Sequence, residues 1–262
     1  MTVLEARTID QGQSPWVVWI HGFLGSSVDF LPHASRLAGD FRSLLVDLPG
    51  HGGSIAVRPR SVEDAAELVA RTIAARGIDR AHLVGYSLGG RVALRVAVAH
   101  QPIVKTLVVE SASPGIVGSA ARAVRVESDR VRSERLTEEG RSAFLDSWYR
   151  QTVFKSLARD EARRSGLAES RNVVDETTTA LALVAFSPGT QVPLWRKLPA
   201  IRLPVLYVAG ELDEKYVAVG RRVVSLMPTA SLAVVPDAGH VVHFEAPDAY
   251  FDTVARFLHK HQ

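Results

Sequence analysis

The sequence predicts an α/β fold: a mostly parallel sheet flanked by helices on both faces and interrupted once by a helical insertion. Three observations carry this. Short apolar runs at residues 16–20, 44–47, 81–85, 104–109, 204–210 and 232–235 alternate with stretches of helical period. Parallel strands buried on both faces read as such unbroken apolar runs, and the crossovers that join them are right-handed. A serine stands between two glycines, Gly85-Tyr86-Ser87-Leu88-Gly89, where one run gives way to a helix. From residue 116 to 197 the strand signal stops and Arg, Glu, Ala and Leu dominate. The organisation is therefore 1–115 as the first part of the core, 116–197 as a helical lid, and 198–262 as the second part of the core.

Taken in order, the first strand run is followed by the glycine-rich loop His21-Gly22-Phe23-Leu24-Gly25-Ser26, and residues 28–37 read as a helix. The second run ends in Leu48-Pro49-Gly50-His51-Gly52-Gly53-Ser54, expected to be a loop with no regular structure. Ser61 opens a helix with Asp64 three residues on as its capping-box partner. Val62, Ala65, Ala66, Val69 and Ile73 recur at helical spacing, and Gly77 closes the segment. The helix after the serine covers 90–97. Beyond the insertion a helix over 217–227 separates two strand runs, and the last helix starts near Pro247, where proline suits the first turn. There are no repeats and no low-complexity tract.

A length of 262 residues fits one large domain or one domain with an insertion. With 47% hydrophobic and 23% charged residues the chain has the composition of a globular enzyme. It has no cysteine, hence no disulfide framework, no thiolate metal site and no cysteine nucleophile. The start Thr2-Val3-Leu4-Glu5-Ala6-Arg7 lacks signal-peptide character, and no apolar stretch approaches the roughly 18 residues that span a bilayer. A cytoplasmic protein without membrane partners is expected, as a monomer or weak oligomer. The net charge is +3, and residues 116–197 hold 14 Lys/Arg against 11 Asp/Glu, so the basic excess lies in the insertion. That suits an anionic small molecule. Nucleic acid would need a denser basic stripe with interleaved aromatics, and none is present.

A serine hydroxyl needs an adjacent base, itself oriented by a third group, to act at neutral pH. Ser87, on its strand-to-helix turn, fits a nucleophile elbow, with glycines on either side because side chains there would clash. His240, in Asp237-Ala238-Gly239-His240, follows the last strand, and Asp213, in Gly210-Glu211-Leu212-Asp213, follows the strand before it. Both lie at the sheet edge where α/β sites form. Asp47 ends a strand too but reads as a structural turn; Glu211 and Asp237 are lesser candidates for the acid. His243 reads as a supporting or surface residue, and His51, His82, His100, His259 and His261 as structural or exposed. Two backbone N–H groups are needed for developing negative charge. Leu88, directly after the serine, and Phe23, in the loop after the first core strand, are best placed to supply them. His21 is expected to shape that loop.

These residues make the chain similar to the α/β-hydrolase superfamily over nearly its full length. Within it the chain resembles the menaquinone-pathway 2-succinyl-6-hydroxy-2,4-cyclohexadiene-1-carboxylate synthases. The first loop, Val46-Asp47-Leu48-Pro49-Gly50-His51-Gly52 and Gly85-Tyr86-Ser87-Leu88-Gly89-Gly90-Arg91 carry this. So do Glu110-Ser111-Ala112-Ser113-Pro114-Gly115, Trp148-Tyr149-Arg150-Gln151-Thr152-Val153-Phe154, Ser187-Pro188-Gly189-Thr190-Gln191 and Gly210-Glu211-Leu212-Asp213-Glu214-Lys215-Tyr216. The chain departs from that family at Leu212, where arginine is usual, and at Tyr216, where phenylalanine is usual. The resemblance implies an α/β-hydrolase fold and a lyase that removes a proton from a succinyl-bearing cyclohexene and eliminates pyruvate, with no metal or organic cofactor. It implies Tyr86, Arg91, Arg130, Trp148, Arg171 and Lys215 as substrate contacts. Arg91 lies four residues, one helical turn, after Ser87, and arginine forks suit carboxylates. The same triad would serve a hydrolase of esters, thioesters or carbon–carbon bonds. A non-catalytic binding protein on the same fold is the alternative outside enzymes.

Overall fold

The computed structural model describes residues 2–10, 14–171 and 175–262. Its strands are β1 (Ala6–Ile9), β2 (Trp16–Ile20), β3 (Arg42–Val46), β4 (Ala81–Tyr86), β5 (Val104–Glu110), β6 (Val205–Gly210) and β7 (Ala230–Val235). They form one seven-stranded sheet in the order β1-β3-β2-β4-β5-β6-β7, parallel throughout except for β1, which runs antiparallel to β3. The helices are α1 (Leu31–Arg36), α2 (Val62–Ala75), α3 (Leu88–Ala99), α4 (Ser119–Glu139), α5 (Arg141–Tyr149), α6 (Glu161–Ser170), α7 (Glu176–Ala185), α8 (Glu214–Leu226), α9 (Val242–Glu245) and α10 (Pro247–Lys260). This is the α/β-hydrolase architecture: a mostly parallel sheet with helices on both faces.

Successive residues of a strand point to opposite faces, and in β2 both faces are covered. Val18 and Ile20 join a core with Leu68 and Val69 of α2, Val92 of α3 and Val223 of α8. Val17 and Trp19 join a second core with Ala34 of α1 and Val254 and Leu258 of α10. All of these core side chains are buried, which is why β2 and β4 read as unbroken apolar runs. Between β5 and β6 lie α4 to α7, whose Leu136, Phe144, Leu145, Leu167 and Leu183 extend the second core above the sheet.

Several boundaries differ from the sequence expectation, each for a local reason. Strand β1 has only four residues, none of them fully buried, and draws its order from pairing with β3 rather than from an apolar signal. The helix expected over 28–37 begins at Leu31, with Pro32 in its first turn. Residues 52–54 of the presumed irregular loop form a 3₁₀ turn, around Gly52 at φ 48°. Helix α8 starts at Glu214 rather than 217 because Asp213 caps it, its side chain accepting from the Tyr216 N–H. Helix α2 has the expected cap, Ser61 Oγ accepting from the Asp64 N–H at 3.0 Å. Residues 186–197, assigned to the lid, carry no helix, and the 3₁₀ turn that follows them begins at Leu198. They pack onto the core, with the Trp195 indole donating to Gly115 O at 2.7 Å and the Leu194 N–H to Pro114 O at 2.8 Å. Among the described residues no helix is long and apolar enough to cross a membrane.

The carboxyl ends of β4, β6 and β7 all open on one edge of the sheet, below α4 to α7. That crevice is where an α/β sheet places its chemistry.

Candidate active site

Ser87 leaves β4 and opens α3 at φ 48° and ψ −106°, a conformation L-residues avoid. The turn is held from both sides. A Cβ on Gly85 would overlap the Gly89 carbonyl, and one on Gly89 would overlap the carbonyls of Ile20 and His21. So β2, β4 and α3 meet with no space for a side chain. The Ser87 N–H donates to Glu110 O at 2.9 Å, tying the turn to the end of β5. Ser87 makes no side-chain cap to α3, which leaves its hydroxyl for another partner.

That partner is His240. Its Nε2 lies 3.3 Å from Ser87 Oγ, and its Nδ1 lies 2.7 Å from Asp213 Oδ2. A carboxylate only accepts, so the Nδ1–H donates to Asp213, and the Nε2 lone pair faces the serine. His240 and Asp213 are nearly fully buried. The ring of Tyr216 covers the imidazole at 4.8 Å and that of Phe154 at 5.5 Å. This arrangement can take a proton from the serine hydroxyl and return it to a leaving group.

Two of the rival acids are engaged elsewhere, and the third, Asp237, is exposed, at φ 54°. Asp47 accepts the Ser27 N–H at 2.5 Å and the Gly53 N–H at 3.0 Å, and so fixes the two loops it lies between. Glu211 accepts from the Asp237 N–H at 3.3 Å. His243 is buried, not a surface residue: its Nδ1–H donates to Glu110 at 2.9 Å and its ring packs on Tyr86 at 4.8 Å. His33, which sequence reading passed over, donates from Nε2 to His243 O at 3.0 Å.

Leu88 is the first residue of α3. With no side-chain cap on that helix, its N–H stands at the positive end of the helix beside Ser87. Phe23 follows Gly22, whose Cα lies so near Tyr86 that a Cβ there would overlap the ring. His21 shapes this loop. It accepts the Leu48 N–H at Nε2 (3.0 Å) and donates from Nδ1 to Gly22 O (2.7 Å). Burial lowers its pKa and keeps it neutral.

Above Ser87 the cavity has three lobes, and Ser87 and Trp148 line all of them. One lobe, of about 140 Å³, is walled by Phe23, Leu88, Arg91, Arg125 and Tyr216. A second, of about 350 Å³ on the His240 side, is walled by Arg125, Arg132, Gln151, Phe154 and Lys215, with no acidic residue among the described residues that line it. The third, of about 30 Å³, lies beside Tyr86 and ends at Tyr149 and Arg171. Arg91 is buried and donates to Gln191 Oε1 at 3.1 Å; burial lowers its pKa to about 10, which still leaves it charged at neutral pH. Lys215 is exposed, at the rim. Arg171 is buried, and its guanidinium is paired with Asp29 of the loop after β2. Burial works against that charge, but Asp29 and Tyr149 outweigh it and raise its pKa. Its Nε has no partner among the described residues.

Arg130 does not reach the cavity. It lies on the outer face of α4, about half exposed, held by Glu127 at 2.7 Å and by Glu134. The cavity side of that helix carries Arg125 and Arg132 instead. Arg125 is five residues from Arg130, hence roughly 140° around the helix. Asp129, 2% exposed, holds the inward pair: it accepts from Arg125 Nε at 2.7 Å, Arg132 Nη1 at 3.2 Å and Ser187 Oγ at 2.7 Å. The sequence signal for this was the 125, 129, 132 spacing on one helix face, which needs the position of Ser187 to become decisive.

Comparison with known proteins agrees with this geometry. Residues 17–253 match the alpha/beta hydrolase family. A 2-succinyl-6-hydroxy-2,4-cyclohexadiene-1-carboxylate synthase from Serratia proteamaculans is 34% identical over 98% of both chains. Its counterpart from Yersinia enterocolitica is 37% identical over 95% of this chain and 88% of that one. Among solved structures, MenH from S. aureus superposes with a TM-score of 0.93 at 27% identity, covering 98% of each chain.

Proposed function

This chain belongs to the alpha/beta hydrolase family, and we propose that within it the protein is a lyase of the 2-succinyl-6-hydroxy-2,4-cyclohexadiene-1-carboxylate synthase type. The substrate in this reading is 2-succinyl-5-enolpyruvyl-6-hydroxy-3-cyclohexene-1-carboxylate, an anion with three carboxylates. The observation that carries it is the pairing of a base-equipped serine with a cavity walled by Arg91, Arg125, Arg132 and Lys215.

Each part has a task. Ser87 Oγ removes the acidic C–H proton beside the succinyl ketone while passing its own proton to His240 Nε2. Asp213 stabilises the imidazolium so formed. The ketone oxygen gains negative charge, and the Phe23 and Leu88 N–H groups hold it. The electrons move through the ring and expel the enolpyruvyl oxygen, breaking the C–O bond. Ser87 keeps the proton taken from the ring, and the proton on His240 passes to the departing enolpyruvate, which becomes pyruvate. The arginines hold the carboxylates in fixed register against Ser87. Tyr86, Trp148 and Arg171 wall the space around the reacting carbon. A cytoplasmic location and a monomer or weak oligomer belong to the same proposal.

Direct product analysis tests it. Incubation with the enolpyruvyl substrate releases one pyruvate per ring product, with no burst and no solvent oxygen in the product. A hydrolase would form an acyl-serine and show a burst. Rapid hydrolysis of simple aryl esters with no pyruvate release would replace the lyase by a hydrolase.

A further inference from the structure

Glu245 takes no part in the chemistry above, yet its side chain brackets the catalytic histidine. Its carboxylate accepts the Gly239 N–H at Oε2 (3.0 Å) and the Val241 N–H at Oε1 (2.9 Å). These are the residues on either side of His240, and Glu245 itself is only 9% exposed. The backbone carbonyl of Glu245 accepts from Arg163 Nη1 at 2.7 Å, and Arg163 belongs to α6, above the sheet. A second residue of that region, Ser156, presses on the same loop, since a Cβ on Gly239 would overlap its hydroxyl.

We propose that Glu245 is a positioning residue for His240, and that Arg163 extends its hold into the lid, so that lid and catalytic base move as one unit. The physical basis is the pair of peptide groups that flank His240. Fixing both N–H vectors on one carboxylate fixes the backbone on which the imidazole is carried. The other side of the loop is already anchored, because the Leu212 N–H donates to Ala238 O at 2.9 Å. Only a carboxylate serves. Glutamine offers one acceptor and one NH₂, so one of the two backbone N–H groups would face a donor. Misplacement of a reacting group by about 1 Å costs on the order of 10²-fold in rate, and the 3.3 Å contact between His240 and Ser87 has little slack.

The test compares wild type, Glu245→Gln, Arg163→Ala, Arg163→Lys and the Glu245→Gln/Arg163→Ala double variant. Two readouts are used: the rate of Ser87 phosphonylation by a fluorophosphonate, and kcat and KM for pyruvate release. The first depends on His240 and not on the substrate assignment. A wild type that is phosphonylated but releases no pyruvate therefore refutes the lyase reading and leaves this one in force. Glu245→Gln should slow phosphonylation and kcat by roughly 10- to 100-fold, with KM within about twofold. Arg163→Ala should slow both by roughly threefold, and Arg163→Lys, which can still donate to the carbonyl, should recover the loss. The double variant should be no slower than Glu245→Gln alone. Arg163 is exposed; its backbone N–H donates to the Asp160 cap of α6, a bond both variants keep, and its Nε pairs with Asp160 Oδ2 only at 3.5 Å. The Arg163 pair thus decides the matter even if Glu245→Gln fails to fold. Unchanged phosphonylation in folded Glu245→Gln, or in Arg163→Ala, or independent multiplication of the two effects, would overturn the proposal.

Discussion

Asp213 and Asp47 each follow a strand at the crevice, and the same isosteric change at each separates chemistry from scaffold. Asp213 uses both oxygens: Oδ2 accepts from His240 at 2.7 Å, and Oδ1 accepts the Tyr216 N–H at 3.4 Å as the cap of α8. In Asp213→Asn one of these positions becomes an NH₂. The Tyr216 N–H is a fixed donor, so the oxygen stays with it and the NH₂ turns to His240. The imidazole must then accept at Nδ1 and carry its proton on Nε2, where it can no longer take one from Ser87. The serine-protease precedent for this tautomer change is a loss of ~10⁴ in kcat, or ~5.5 kcal/mol in the barrier at about 1.4 kcal/mol per tenfold. Stability should barely change, because the cap is kept. Asp47→Asn should do the reverse. Its carboxylate accepts from Ser27 and Gly53, and an amide leaves one of those backbone donors facing an NH₂, at ~1–3 kcal/mol. For a chain of this size each kcal/mol lowers Tm by about 2–4 °C. Pyruvate release coupled to NADH oxidation gives kcat, and thermal unfolding gives Tm. A crippled but stable Asp47→Asn beside a near-wild-type Asp213→Asn would show that the wrong acid has been assigned.

Three further outcomes follow from the geometry. Ser87→Ala should abolish most turnover with Tm equal to or slightly above wild type, since the strained turn carries no stabilising side-chain cap; wild-type-like turnover would refute the base assignment. Arg125→Ala should lower kcat/KM by roughly tenfold or more, whereas Arg130→Ala, on the outer face, should stay within about twofold; the opposite ranking would return Arg130 to the site. Burial depresses the pKa of His33 to about 4, and of His51 and His82 to about 3, against about 6.5 in the unfolded chain. The unfolded state therefore binds more protons below pH 6.5, so their contribution is complete above that pH and lost as pH falls towards 4 and 3. Urea unfolding between pH 7.5 and 4.5 should show stability falling by up to ~1.4 kcal/mol per pH unit for each histidine, and a flat profile would contradict their burial as neutral rings.

The parts of the fold readable from sequence are those whose signal is local. The strands β2, β4, β5 and β6 are apolar on both faces, so composition alone marks them. The same holds for the elbow, where Gly85 and Gly89 are required by contacts a few residues away in the chain or in the adjacent strand. Strand β1 was not readable, because Arg7 and Thr8 are exposed and its order comes from pairing with β3, some forty residues on. Helix α9, four residues long, has too few positions for any periodicity. The triad was readable because each member sits within five residues of a strand end, so strand recognition and chain order together sufficed.

The lid arginines show where that kind of reading ends. Arg130 has Glu127 three residues before it and Glu134 four after, an arrangement any isolated helix could use to satisfy it. Arg125 has the same local resource in Asp129, four residues on. Local charge spacing thus gives the two arginines nearly equal standing, and it is the family resemblance that pointed to Arg130. What separates them is that Asp129 is buried, where Ser187, fifty-eight residues later, donates to it. Ser187 is in turn held in place by its own turn, accepting the Gly189 N–H at 3.1 Å, while Gly189 packs so closely on α4 that a Cβ would overlap the Arg122 carbonyl. The stretch Ser187-Pro188-Gly189-Thr190-Gln191 therefore performs two tasks at a distance. Through Ser187 it selects which face of α4 looks into the cavity, and through Gln191 it receives Arg91. A motif that sets the orientation of two cations by contacts 58 and 100 residues away cannot announce that role in its own composition. It becomes readable only when the chain is folded and the buried carboxylate is seen between its three donors.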